Sequence, residues 1–359
     1  MNRLSSFNQS GGSIMNNIKV LGIDLAKDVF QLHGTDAKGN RVLTKRLSRV
    51  KLIEYMANVT PCLVGIEACG GAHYWARVFE AYGHNVKMMS PQFVKPYVKS
   101  NKNDARDAEA IAEAVTRPNM RFVPKKTMQQ QDVLLLHRAR ELAMKQRTAH
   151  SNQIRGLLAE YGIVVAKGLS HLNELPEILE NEEQKLSLTS KEIFLQLYEQ
   201  LKTYAEQVKY YENKIHSHAA TDPRCVAVQE VEGVGPITAS AIVATIGDAN
   251  AFKNGREASA WLGLVPKQHS SGNKVVLGSI TKRGDRYVRK LLVHGARTVV
   301  KNCDNKTDRK NQWVADKKLR CGYNKAAVAL ANKNARVIWA LLATGECYRK
   351  AVPIKAQVA

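Results

Sequence analysis

The sequence predicts a mixed α/β N-terminal unit, then a long helical arm, then a mostly helical and strongly basic C-terminal region. Three observations predict this order. Between about Ile18 and Val123, β-rich runs come first in succession and then alternate with helical segments. From about Lys125 to Asp222, apolar residues recur at helical spacing in a charge-laced background. Beyond that, a glycine-containing hairpin joins two helical stretches and leads into a Lys- and Arg-rich tail.

Taken in order, IKVLGID is an apolar run ending on an acid, VFQLHGT alternates with period two, DAKGN is a turn, and RVLTKRL is able to pair back. That is a three-strand antiparallel meander. LIEYMANV reads as a short helix and CLVGIEA as a buried strand that also ends on an acid. AHYWARVFEAYG is a helix closed by Gly83, and NVKMMS is a further strand. Three antiparallel strands followed by α/β units is the order of a ribonuclease-H-like fold.

In the middle region Leu197, Leu201, Tyr204, Val208, Tyr211 and Ile215 are spaced 4, 3, 4, 3, 4, a heptad seam. The seam predicts a coiled coil or a tight antiparallel helix pair, with pairing of two chains favoured over packing inside one. GLSHLNELPEILENEEQ interrupts the arm as a loop or short helices. In VQEVEGVGPITASAIVATIG, Gly233, Gly235 and Pro236 fit a helix-hairpin-helix, whose glycines let backbone N–H groups approach a phosphate at a helix N-terminus. The plain alternative is a tight turn between two helices. Downstream, Arg283, Arg286 and Arg289 recur at near-helical spacing. With Lys274 and Lys282 they form a prospective phosphate-binding stripe.

Composition limits the function classes. With 44% hydrophobic residues in 359, the chain is able to build more than one core. Its net charge of +22, concentrated after about residue 250, calls for a polyanionic partner, first of all nucleic acid. No apolar run approaches the ~18 residues that span a membrane. MNRLSSFNQSGGSI lacks the apolar segment of a signal peptide and is expected to be a disordered tail ahead of a start at Met15. Six scattered cysteines without a C-x-x-C pair fit neither a zinc site nor a disulfide framework, and are expected as buried thiols in a reducing cytoplasm.

The acids carry the chemistry. In NKNDARDAEAIAEA, Asp104 and Asp107 share one face of a helix and repel each other, so something must offset them. Asp24 ends the first strand and Glu67 the fourth, which are neighbours in a ribonuclease-H-like sheet. Four converging carboxylates are costly without cations. A divalent ion, Mg²⁺ or Mn²⁺, removes that cost, because hard cations take carboxylate oxygens together with substrate phosphates. Taken singly, each acid has a plainer reading: a strand-end turn former or, for Asp104, a helix cap. Asp28, Asp36 and Glu109 read as surface charges. His73 beside Trp75 reads as packing, and Tyr97, Lys99 and Lys102 as a solvated loop.

GIDLAKDVF, GIEACGGAHYWA, NKNDARDAEAIAEA, VEGVGPITASAIVATIGD, GLVPKQHSSGNK and ITKRGDRYVRKLLVHGA together resemble the DEDD transposases of bacterial insertion sequences. These are also called bridge-RNA-guided recombinases (the insertion sequence one-ten family), and the Piv-type DNA invertases are similar. The resemblance covers about residues 18 to 345 and is nearest to the branch named after insertion sequence eleven-eleven. It implies a disordered tail over 1–17 and a RuvC-like domain over 18–124. It further implies a helical linker and coiled coil over 125–222, a transposase domain over 223–345 and a tail over 346–359. The family's four acids fall on Asp24, Glu67, Asp104 and Asp107. Its serine nucleophile falls on Ser271, immediately before Gly272, with Ser270 as the alternate.

The resemblance further implies RNA-guided excision and insertion of the element. Ser271 would attack a DNA phosphodiester, giving a phosphoserine and a 3′ hydroxyl, with metal activating the serine or stabilising the leaving oxygen. His269, two residues away, is expected to point away from Ser271 in an extended loop. The implied partners are donor and target DNA, a guide RNA encoded by the element, and further copies of the chain as a dimer assembling to a tetramer, acting on the nucleoid. A metal-dependent junction nuclease using water, and a non-catalytic scaffold, are the competing classes. The nuclease has no use for HSSG, and the scaffold has none for the four acids.

Overall fold

The computed structural model describes residues 17–99, 103–184, 186–272 and 274–349. All but the last residue of the expected N-terminal tail, most of the C-terminal tail, and Lys102 lie outside the described residues. The chain divides into two compact units between Lys126 and Thr127.

The first unit is a sheet of six strands in the order β3-β2-β1-β4-β5-β6. β1 (Val20–Asp24), β2 (Val29–Thr35) and β3 (Arg41–Ser48) form the antiparallel meander. β4 (Leu63–Glu67) runs parallel to β1, and β5 (Asn85–Met89) parallel to β4. The two-residue β6 (Phe122–Val123), which has no signature in the sequence, closes the edge antiparallel to β5. α1 (Arg49–Asn58) and α2 (Ala72–Ala81) bury Leu52, Met56, Trp75 and Phe79 against Leu21, Ile23, Phe30 and Leu32. The short α3 (Pro91–Val94) leads to α4 (Asp104–Val115), which covers the opposite face with Ile111 and Val115. Burying each of these large apolar side chains contributes about 1.5–3 kcal/mol.

Two glycines decide how closely α4 lies on the sheet. Gly22 of β1 is paired with Gly65 of β4. A Cβ on Gly22 would come within 2.2 Å of the Ala108 carbonyl oxygen, and one on Gly65 within 2.9 Å of Val115 Cβ. The small Ala108 and Ala112 complete the contact from the helix side. Strand side chains alternate faces, so Asp24 and Glu67, each two residues beyond its glycine, lie on the face that α4 covers.

The second unit is mostly helical. α5 (Met128–Ala159) starts with a capping box between Thr127 and Gln130. The short α6 (Leu175–Glu180) precedes α7 (Leu188–Thr221), which returns antiparallel to α5: Arg140 bonds Glu212, and the His150 ring packs on Tyr204. Leu201, Val208 and Ile215 of the heptad seam are thereby buried within this unit. The seam expected to pair two chains is therefore filled by the chain's own α5, the antiparallel helix pair that the spacing also allowed.

α8 (Pro223–Gln229) and α9 (Pro236–Ile246) flank the glycine hairpin, and α9 is buried from Thr238 to Ile246. α10 (Gly255–Trp261) precedes a two-stranded hairpin of β7 (Pro266–Gln268) and β8 (Leu277–Ile280). α11 (Arg286–Asn302), α12 (Arg309–Cys321) and α13 (Tyr323–Thr344) complete the core around Leu292, Val314, Leu330 and Ile338. Among the described residues, no helix is long and apolar enough to cross a membrane.

Candidate active site and nucleic-acid interface

Asp24 stands at the C-terminal end of β1, and the parallel pair Ile23 and Ile66 sets Glu67 of β4 beside it. Asp104 and Asp107 occupy the first turn of α4, at the N-terminal end of the face that packs on Gly22 and Gly65. Carboxylate oxygens of Asp24, Asp104 and Asp107 lie within 4.8 Å of one another. The Glu67 carboxyl is pushed up from the ordinary carboxylate range by burial first, then by the charges of Asp24 and Asp107. The four acids are one electrostatic cluster, three of them close enough to share an ion.

Asp104 does not cap its helix. Asn103 does, its side-chain oxygen accepting from Ala105 N at 3.0 Å. Among the described residues the aspartates gain only the favourable end of the helix dipole, ~0.3–1 kcal/mol each, which does not offset their mutual repulsion at this range. The donor set is all oxygen, clustered at the rim of the sheet, and fits a hard divalent cation. Around it, Lys99 pairs with Glu109 at 3.0 Å, and His73 Nδ1 accepts from Lys126 N at 3.3 Å, so both serve the fold locally. Gly22, Gly65, Ala108 and Ala112 escaped the sequence reading as contributors to the site. The signal was present: both acid strands read Gly-Ile-acid.

Ser270 and Ser271 lie on the exposed hairpin rather than in a loop. The pairs Gln268 with Leu277, His269 N with Val276 O, and Ser271 with Lys274 keep one register from Gln268 to the turn, beyond a register shift between Pro266 and Gln268. Gly272 turns the chain beyond Ser271 with φ of +54°. This ladder separates the two serines. Gln268 and Ser270 share one face, and Gln268 Nε2 donates to Ser270 Oγ at 2.9 Å. His269, Ser271 and Lys274 share the other. The expectation that His269 points away from Ser271 is therefore corrected: residues two apart in an extended strand face the same way.

Gly233 has φ of +88°, and a Cβ there would meet the Gly295 carbonyl oxygen of α11 at 2.9 Å. That close approach accounts for the glycine without a ligand. Gly235, at the N-cap of α9, has open space around it and no side-chain cap. In the basic stripe, Lys282 and Arg283 precede α11, which begins only at Arg286 with Asp285 as its cap. Arg289 Nη1 donates to the carbonyls of Leu262 and Arg283. Arg289 thus holds the loop that displays Lys282 and Arg283 on the surface, next to the exposed Arg286 that opens α11.

A second cluster, His218, Asp222 and Cys225, also has ligand-type atoms within 4.8 Å of one another. Asp222 caps α8 and accepts from Arg224 N, Nε and Nη2, while burial pushes the Cys225 thiol up to about 12. This is a helix cap with its ion pair.

Two family profiles match the chain: a DEDD transposase of the IS110 group over residues 21–163, and the Transposase IS116/IS110/IS902 family over residues 225–312. Similar proteins match along nearly the whole length. The transposase for insertion sequence element IS1111A of Coxiella burnetii is 47% identical over 348 residues, covering 97% of this chain and 95% of that protein. A probable family 20 transposase of Pseudomonas aeruginosa is 46% identical over 335 residues, covering 93% and 99%. The transposase for insertion sequence element IS1328 of Yersinia enterocolitica is 38% identical over 336 residues, covering 94% and 100%. The acidic cluster and the basic helical region therefore belong to a chain that is a member of the IS110/IS116/IS902 family of bacterial insertion-sequence transposases, whose work is the cleavage and rejoining of DNA.

Proposed function

We propose that the chain excises and inserts its element by site-specific, RNA-guided recombination, with Ser271 as nucleophile and Asp24, Glu67, Asp104 and Asp107 as the metal-holding acids. The observation that carries the proposal is the convergence of three carboxylates beside Glu67, itself pushed up by burial first and then by the charges of Asp24 and Asp107. A divalent ion, Mg²⁺ or Mn²⁺, held there would supply Lewis-acid stabilisation to phosphate oxygens. Lys282, Arg283, Arg286 and Lys274, with the open N-terminus of α9 at Gly235, would bind backbone phosphates and fix the register of the DNA.

In the chemical step, Ser271 Oγ attacks a backbone phosphorus and an O–P bond forms. The P–O3′ bond breaks, and the departing oxygen is protonated to a 3′ hydroxyl. The serine proton goes to a base, a role we assign to His269 on the same hairpin face. Attack by another strand's 3′ hydroxyl on the phosphoserine reverses these bonds, so rejoining needs no outside energy. Strand exchange requires several such sites held together. Met128, Leu135 and Leu142, exposed at seven-residue spacing on α5, offer an apolar stripe for a dimer that assembles to a tetramer. The charge of +22 suits a guide RNA as well as DNA, and sequencing the RNA that copurifies with the protein tests that part.

The test of the serine is denaturing gel analysis of end-labelled DNA. The wild type and Ser270→Ala should give a protein–DNA adduct, and Ser271→Ala none. Adduct formation by Ser271→Ala would overturn the assignment. Free 5′ phosphates without any adduct would instead indicate hydrolysis at the acidic cluster.

A further inference from the structure

A cavity of about 1080 Å³ opens in the second unit between the N-terminus of α10, the foot of the β7–β8 hairpin, and α12 and α13. Among the described residues five cations line it, Arg256, Lys317, Lys325, Lys333 and Arg336, and no carboxylate does. Four other lysines of this region are neutralised: Lys306 and Lys310 by Glu232, Lys318 by Asp304, and Lys290 by Glu141. None of the five cavity cations forms an ion pair among the described residues. Lys333 is held below the usual lysine range by burial first, then by the charges of Arg309 and Arg336.

Two tryptophans share the wall. Trp339 packs on the core and donates its Nε1–H to the Ala249 carbonyl at 3.0 Å, which fixes its ring. Trp313 is half-buried, with the Lys333 ammonium 4.4 Å from its ring centroid. Unpaired cations beside partly exposed indoles are what a single-stranded nucleic acid requires: phosphates for the charges, and a base free to stack on a ring. A duplex keeps its bases stacked inside, out of reach of rings in a concavity, and at this volume the cavity lies at the upper end of the range for one small ligand.

We infer that this cavity binds an unpaired nucleic-acid segment, with its phosphates on Lys333, Arg336 and the neighbouring cations and a base on Trp313. Pro266 and Ile280, the cross-strand pair at the hairpin foot, line the cavity, and Ser271 is five residues further along that strand, at most ~17 Å away. A strand seated there lies within a few nucleotides of Ser271, so the site suits the single-stranded flank of a cleaved phosphate or an unpaired stretch of RNA. The link to cleavage rests on Ser271 as the nucleophile, whereas occupancy of the cavity does not.

The test is fluorescence anisotropy on the full-length protein in metal-free buffer, so that binding is read without cleavage. The probes are labelled eight-nucleotide single-stranded DNA, the same RNA, and a sixteen-base-pair duplex. Trp313→Ala should weaken the preferred single strand about tenfold and the duplex less than about twofold. The double variant Lys333→Gln/Arg336→Gln should lower the salt slope of single-strand binding by about one to two. It also decides the matter if Trp313→Ala fails to fold. Preference for DNA or for RNA identifies the source of the strand. Unchanged single-strand affinity in the charge variant, or equal losses for single strand and duplex, would overturn the inference. If binding behaves as expected while Ser271 forms no adduct, the serine assignment falls and the cavity stands.

Discussion

The acidic cluster and the serine hairpin are held in opposite ways. Asp24, Glu67, Asp104 and Asp107 are fixed by a packed interface in which helix backbone meets Gly22 and the Val115 and Ile111 side chains close on Gly65, so the helix cannot shift without a clash. Ser271 stands on a two-stranded hairpin whose Val275, Val276 and Leu277 are exposed, and nothing lies within 4 Å of where a Cβ on Gly272 would be. The difference teaches where rigidity is needed. Like charges must be clamped because they repel, whereas the nucleophile proposed at Ser271, which would have to meet a DNA phosphate, is better placed on an element free to adapt to it.

The sharpest way to break this comparison is to remove charge from the clamp. Asp24→Asn or Asp107→Asn should lower strand cleavage on the order of 10³-fold, a loss of several kcal/mol of charge stabilisation. The metal-free thermal midpoint of the same variant should hold or rise, because a repulsion has been relieved. A variant that loses both activity and fold would show that the acids serve structure.

Next in size is the clamp itself. Gly22→Ala should cost ~3 kcal/mol or more in denaturant unfolding of the first unit, since its Cβ would overlap the Ala108 carbonyl. A comparable loss is expected on acidification, from a buried imidazole. Burial first, then Arg140 and His218, pushes His137 down to about 4, and its nitrogens meet Ser240 Oγ and Tyr287 Oη at 3.0 Å. Because the folded value lies below the unfolded 6.5, the neutral imidazole's contribution is complete above pH 6.5 and is lost as pH falls toward 4. The loss is ~3 kcal/mol, and His137→Gln should flatten that part of the stability profile.

Smaller still is the gain from metal. Mg²⁺ at 100 times its dissociation constant should stabilise the first unit by about 2.7 kcal/mol, and Asp24→Asn should abolish the gain. The gain should also shrink on acidification, as protons compete for Glu67, whose proton affinity is already raised. Smallest is the hairpin. Gly272→Ala should cost only the ~1–2 kcal/mol of a left-handed residue and leave global unfolding nearly unchanged, while reducing adduct formation if Ser271 is the nucleophile.

Much of this architecture was legible in the sequence because it rests on local periodicity. The meander, the two strands ending on Asp24 and Glu67, α4 and the helix-hairpin-helix each follow from spacing within about twenty residues. The hairpin bearing Ser271 was missed because its strands are short and exposed, so the apolar alternation that betrays a strand is weak. The only local sign was the Gly272-Asn273 pair between HSS and KVVL. The partner of the heptad seam was out of reach for a different reason: spacing shows that a face is apolar but not which helix will cover it.

The sequence alone determined the meander, the acid-ending strands, the long helices and the charge, since residue type and period act locally. Tertiary structure alone decided three things. It set how closely α4 approaches the sheet, a matter of Gly22 and Gly65 meeting residues more than forty positions away. It showed that the seam closes on the chain's own α5. And it gathered Arg256, Trp313, Lys333 and Arg336, unremarkable in sequence, into one unneutralised cavity. Each depends on contacts between segments far apart in the chain, where no local pattern carries the information.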